Sequence, residues 1–187
     1  YYNLGYVYYN IGDYNKSIFW AEKVLEIQSD SPGPPKNPIS KSMCYNLIGI
    51  AYYSMDNNEE AIKYLNESIK YTPENMKTGN INLCYTYNNL SNCYNEIGEY
   101  DKAIESLNIS LDLFLKIQNQ DHPDIILFYN NLANSYGYKG EYKKSINYHK
   151  KSLNIQLKNN RENHPLTALI HYNIGNSYIF ISEFDSA

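Results

Sequence analysis

Midway along the chain, Tyr87, Leu90, Tyr94 and Ile97 fall three and four residues apart, the spacing of a helix with one buried face. Gly98-Glu99-Tyr100 breaks that spacing, and Ala103, Ile104, Leu107, Leu111 and Phe114 resume it. The pattern predicts helix, tight turn, helix. Glu99 and Asp101 fall in the first turn of the second helix, where acidic groups meet the positive end of the helix dipole. The turn recurs as Gly12-Asp13-Tyr14 and Gly140-Glu141-Tyr142, with glycine supplying the left-handed backbone that ends a helix without steric cost. Asp56 and Ser182 stand where glycine does elsewhere, so those two turns are expected to be less ideal.

The helix pair is one copy of a longer pattern. An apolar residue, a small residue and a tyrosine three further on occur at Leu4-Gly5 with Tyr8, Ile48-Gly49 with Tyr52 and Leu90-Ser91 with Tyr94. They occur again at Leu132-Ala133 with Tyr136 and Ile174-Gly175 with Tyr178. The first interval between these tyrosines is 44 residues and the others are 42. A fixed period of this size marks a solenoid, in which each unit buries its apolar stripe only against its neighbours. The units run over about 1–30, 42–75, 84–119, 126–160 and 168–187, four complete and one partial. His122-Pro123 and His164-Pro165 lie between units and read as turns leading into helices, because proline tolerates the first helical turn. Residues 31–38, rich in proline, read as a stiff extended spacer.

Composition narrows the chemistry. The formal net charge is −4 with both signs interspersed, which leaves no basic footprint for nucleic acid or an anionic membrane. No apolar run reaches the ~18 residues of a membrane span. Cys44, Cys84 and Cys93 form no C-x-x-C pair and read as reduced, packed side chains of a cytoplasmic protein. No nucleophile with a base, carboxylate pair, phosphate loop or metal spacing stands out, so neither an enzyme nor a cofactor is expected. His149 and His171 occupy positions that read as packing. With 22 tyrosines and many asparagines, position within the repeat carries more information than residue type.

Tyr87, Leu90-Ser91, Tyr94, Gly98, Tyr100, Ala103 and Ser110 resemble the tetratricopeptide repeat. Tyr129, Leu132-Ala133, Tyr136, Gly140, Tyr142, Ser145 and Ser152 repeat the match. The common form has a period of roughly 34 residues. The longer unit, with Asp121-His122-Pro123-Asp124 before Tyr129-Asn130-Asn131-Leu132-Ala133, is similar to the kinesin-light-chain type. The resemblance implies an all-α solenoid, a right-handed superhelix of antiparallel helix pairs, whose first helices line a concave groove.

Asn89 and Asn92 lie off the apolar stripe and, being three apart, share a face. Asn131 and Asn134, Asn173 and Asn176, and Asn3 hold the same places in other units. The resemblance implies that this ladder, with the neighbouring Asn88 and Asn130, clamps the backbone of an extended peptide. An amide suits that role, since it offers both donors and acceptors to alternating C=O and N–H groups. Leu47 and Ile50 interrupt the ladder in the second unit and are expected to form an apolar pocket or mark the ligand's end. No lysine or arginine is found among groove positions such as Asn46, Tyr85, Glu96, Leu127 and Tyr138, so the ligand is expected to be neutral or mildly basic. A regulatory segment of a larger signalling protein or enzyme, and a self-associating structural array, are the alternative functions. Neither end shows a polar cap, which suggests part of a longer array with possible end-to-end self-association.

Overall fold

A computed structural model describes residues 1–29, 38–159 and 162–185. Most of the proline-rich stretch expected to be a spacer lies outside the described residues. Nine α-helices form, and no strand occurs among the described residues. They pair as α1 (Tyr2–Asn10) with α2 (Tyr14–Ser29), α3 (Pro38–Ser54) with α4 (Asn58–Lys70), and α5 (Ile81–Glu96) with α6 (Tyr100–Ile117). α7 (Ile125–Tyr138) pairs with α8 (Tyr142–Lys158), and α9 (Pro165–Asp185) follows.

Each turn within a pair closes in the same way. Gly98 N–H donates to the Asn95 carbonyl at 3.1 Å, and Glu99 N–H reaches back to the Tyr94 carbonyl at 2.8 Å. The same two bonds recur after α1, α3 and α7, and they satisfy carbonyls that a helix end would leave unpaired. The turn residue takes positive φ: 82° at Gly12, 78° at Gly98, 84° at Gly140 and 59° at Asp56. Asp56 therefore adopts a conformation that disfavours a side chain, as its sequence position predicts. At Ser182 the outcome differs from the expectation, because α9 continues through it to Asp185 with no turn. Serine lacks glycine's access to positive φ, and the Ser182 hydroxyl donates to the Ile179 carbonyl within the helix.

The small residue of the repeat lets the two helices of a unit approach. A Cβ placed on Gly49 would stand 2.7 Å from Leu65 Cγ, whereas one on Gly175 in α9 would meet nothing within 4 Å. Aromatic rings close the seam beside it. Tyr64 contacts both Tyr45 and Tyr52, with centroids 6.2 and 5.4 Å apart. Tyr148 contacts Tyr129 and Tyr136 at 6.1 and 5.5 Å, and Trp20 stacks on Tyr1 at 5.5 Å. In the third unit buried Ser106 takes the place of that middle ring. His171, expected to pack at an aromatic position of the motif, is exposed, since no second helix covers that side of α9 among the described residues.

Within a unit, a repeated peg joins the two helices. Ser68 Oγ donates to the Ser42 carbonyl at 2.8 Å and Ser110 Oγ to the Cys84 carbonyl at 2.6 Å, each tying a second helix to its own first helix. Every helix packs on the next, and α1, α3, α5 and α7 also touch one another in succession. No comparable succession links the second helices among the described residues. The first helices therefore occupy the crowded, inner side of the stack. His122 and His164 shape the approaches to α7 and α9: each Nδ1 accepts a backbone N–H, from Asp124 at 3.2 Å and Leu166 at 3.1 Å. Pro165 opens α9, but Pro123 stays in the turn before α7.

α8 departs from its counterparts. Its inward stripe reads Ser145, His149, Ser152 and Gln156, all buried, where α6 has Ala103, Leu107, Ser110 and Phe114. His149 Nδ1, Ser152 Oγ and both polar atoms of Gln156 find no partner among the described residues. His149 is 2% exposed, and burial pushes its pKa down from the usual 6.5 to about 4, so the imidazole is neutral at pH 7.

Two expectations follow from this packing. Gly49→Ala should cost about 1–3 kcal/mol in urea denaturation, because buried Leu65 must yield. Gly175→Ala should be neutral or gain up to about 1 kcal/mol from helix propensity. For His149 the unfolded chain takes up a proton below pH 6.5 that the folded chain refuses until about pH 4. Stability is therefore lost as pH falls through that interval. His149→Leu removes this contribution, so its stability advantage over the parent should widen by about 2–3 kcal/mol between pH 7 and pH 4.5 in denaturant titrations.

Candidate functional site

The inner side is held together by its own amides and hydroxyls. Asn46 Nδ2 on α3 donates to Thr86 Oγ1 on α5 at 2.8 Å, and Asn95 Nδ2 on α5 donates to Ser135 Oγ on α7 at 2.9 Å. Asn131 Nδ2 donates to Asn88 Oδ1 at 2.8 Å. Asn88 is only 4% exposed, so this member of the ladder lies beneath the surface and anchors α7 to α5. Its position one residue off the exposed face explains the burial, since a step of about 100° turns it toward the neighbouring helix.

Two adjoining hollows open between α7 and α9. One, of about 400 Å³, is lined by Asn130, Asn131, Asn134 and Asn173. Its apolar wall includes Leu127 and Leu169. The second, of about 350 Å³, shares Asn134 and Asn173 and adds Asn176, Ser177 and Phe180, with His149 of α8. The structure thus brings together Asn130, Asn131, Asn134, Asn173 and Asn176. Asn89 and Asn92 are half-buried on α5 and Asn3 is exposed on α1, all outside these hollows. Asn130 Oδ1 is buried without a partner among the described residues. The apolar pocket expected at Leu47 does not form: Leu47 is core, 1% exposed, and fills the space a Cβ on Gly5 would claim at 3.2 Å.

Electrostatics agree with the lining. Among the described residues no lysine or arginine borders either hollow, and Asp124 is the one ionised group that does. Tyr85 OH donates to Asp124 Oδ2 at 3.4 Å, and burial together with that carboxylate raises the phenol's pKa, so it remains a donor. Sequence reasoning missed Asp124 and His149 as contributors here. The repeat places Asp124 just before a first helix and His149 on a second helix, and only their packing turns both toward the same trough.

The three cysteines are free and buried, and burial raises the thiol pKa of each, to about 11 at Cys44 and Cys84 and about 12 at Cys93. Such thiols are poor nucleophiles. Among the described residues no three metal-ligating side chains gather, and no helix is long and apolar enough to cross a membrane.

Comparisons place this architecture. The chain is similar to a putative kinesin light chain with nearly identical repeats from Podosopora anserina, at 18% identity and a TM-score of 0.79, covering 99% of this chain and 87% of that one. It is similar to BtubC from P. vanneervenii at 17% identity and a TM-score of 0.81, covering 97% and 72%. MamA protein matches at 25% identity and a TM-score of 0.62, covering 84% and 72%. No curated protein matches the chain in sequence. The tetratricopeptide repeat profile matches residues 1–74, 82–158 and 124–187. Period, turn, small-residue seam and profile agree, and the chain belongs to the tetratricopeptide repeat family.

Proposed function

We propose that this protein is a binding scaffold that holds an extended, neutral or mildly basic peptide along the trough between α7 and α9. A tetratricopeptide repeat fold is typical of protein–protein interaction, and the trough supplies the chemistry for one kind of partner. The observation that carries the reading is the gathering of Asn130, Asn134, Asn173 and Asn176 around two adjoining hollows that no cation borders among the described residues. Amides match peptide C=O and N–H groups whatever the side chains, and the apolar wall at Leu127 and Leu169 shelters those bonds from water. An acidic peptide would meet Asp124 and no compensating charge, whereas a basic side chain would meet a carboxylate.

The test is a random peptide display library panned against the protein, followed by affinity measurement for recovered peptides. Asn130→Ala/Asn134→Ala/Asn173→Ala removes three hydrogen-bonding groups at about 0.5–1.5 kcal/mol each. Affinity should fall by about tenfold or more while circular dichroism stays unchanged. Recovered peptides should carry few acidic residues, and their affinity should change little with added salt. Unchanged affinity in the triple variant, or a steep loss with salt, overturns the reading.

A further inference from the structure

The outward side of α8 carries charge of one sign. Lys143, Lys144, Lys150, Lys151 and Lys158 are exposed, and the helix contains no acidic residue. At about 100° per residue, the five fall within roughly a third of the helix circumference. The corresponding helices mix signs instead, with Glu59, Glu60, Lys63, Glu67 and Lys70 on α4, and Asp101, Lys102, Glu105, Asp112 and Lys116 on α6. Within a chain of net charge −4, α8 is a local basic face that the average conceals.

Neighbouring acids neutralise only part of it. Lys144 pairs with Glu141 and Lys158 with Asp121, and no ion pair reaches Lys143, Lys150 or Lys151 among the described residues. Lys150 donates to Tyr178 OH at 3.2 Å. Lys151 Nζ lies 4.8 Å from the Tyr148 ring centroid and 5.7 Å from that of Tyr129. These ring contacts hold ammonium groups in place without neutralising them. Beside them is a cleft of about 330 Å³, where Tyr129, Lys151, Asn154 and Lys158 meet Gln120 and Asp121 of the segment before α7. Asp121 Oδ1, 2.7 Å from Lys158 Nζ, shows a carboxylate already seated on this face.

We propose that this face is a second interaction surface, separate from the trough, that takes an acidic segment of a partner protein. Carboxylates of that segment meet Lys143, Lys150 and Lys151, while the cleft receives the body of a side chain. Complementary charge steers and orients such an encounter. A long polyanion fits less well. The patch is one helix of 17 residues, and the neighbouring α6 exposes Asp101, Glu105 and Asp112, which repel a nucleic acid strand or anionic bilayer extending past it.

The experiment measures fluorescence polarisation of a labelled short peptide alternating glutamate with serine and glycine, at fixed moderate salt. Lys143→Glu/Lys150→Glu/Lys151→Glu should lower its affinity about tenfold or more. Lys63→Glu/Lys70→Glu/Lys102→Glu makes the same change in net charge on other helices and should alter it by about twofold or less. Circular dichroism confirms that both variants keep their helices. The asparagine triple variant of the trough should bind this probe as the parent does. No binding by the parent, equal losses in the two lysine variants, or a loss in the asparagine variant overturns the proposal. So does tighter binding, at the same salt, of a short single-stranded DNA or of phosphatidylserine vesicles.

Discussion

The structure depends on the close approach of two helices across a residue with little or no side chain. Where Gly49 stands, the backbone of α3 comes so near to Leu65 that a single methyl group would collide with it. Ser91 and Ala133 hold the equivalent places on α5 and α7, and both are fully buried. A solenoid has no single core to average over errors, so each unit must complete its own seam and pass an intact face to the next. The tyrosines and the positive-φ turns serve that seam, the former by closing it laterally and the latter by returning the second helix at the right angle.

The same economy governs the inner face. Successive first helices are near enough to exchange hydrogen bonds, and several amides and hydroxyls are spent on one another instead of being offered to a ligand. Asn131 is shared between the two uses: its amide nitrogen is bonded to Asn88, while the residue also lines the hollow. Where α9 follows α7, asparagines border two adjoining hollows.

α8 is the least regular member of the stack on both of its sides. Inward, a polar stripe replaces the apolar one of α6, leaving buried groups without partners among the described residues. Outward, lysines replace mixed charge. The two departures fall on the helix that also supplies His149 to the trough, so the fourth unit is where the repeat gives up regularity. Natural proteins commonly depart from consistent local rules where function requires it.

Much of this was legible in the sequence. Helix pairs, turn positions and the small-residue stripe follow from spacing alone, because a helix places residues three and four apart on one face whatever surrounds it. The 42-residue interval likewise determined which positions were equivalent. Spacing could not tell whether a face stays open. Leu47 became core because α1 closes over it at Gly5, and Asn88 went under because α7 reaches it from 43 residues away. α9 ran through Ser182, where a turn was expected. The five lysines were visible one by one, yet their gathering on a single outward face depended on α8 packing with its other side inward. Local periodicity determined what each helix presents, and the packing of neighbouring helices decided which of those faces stay open.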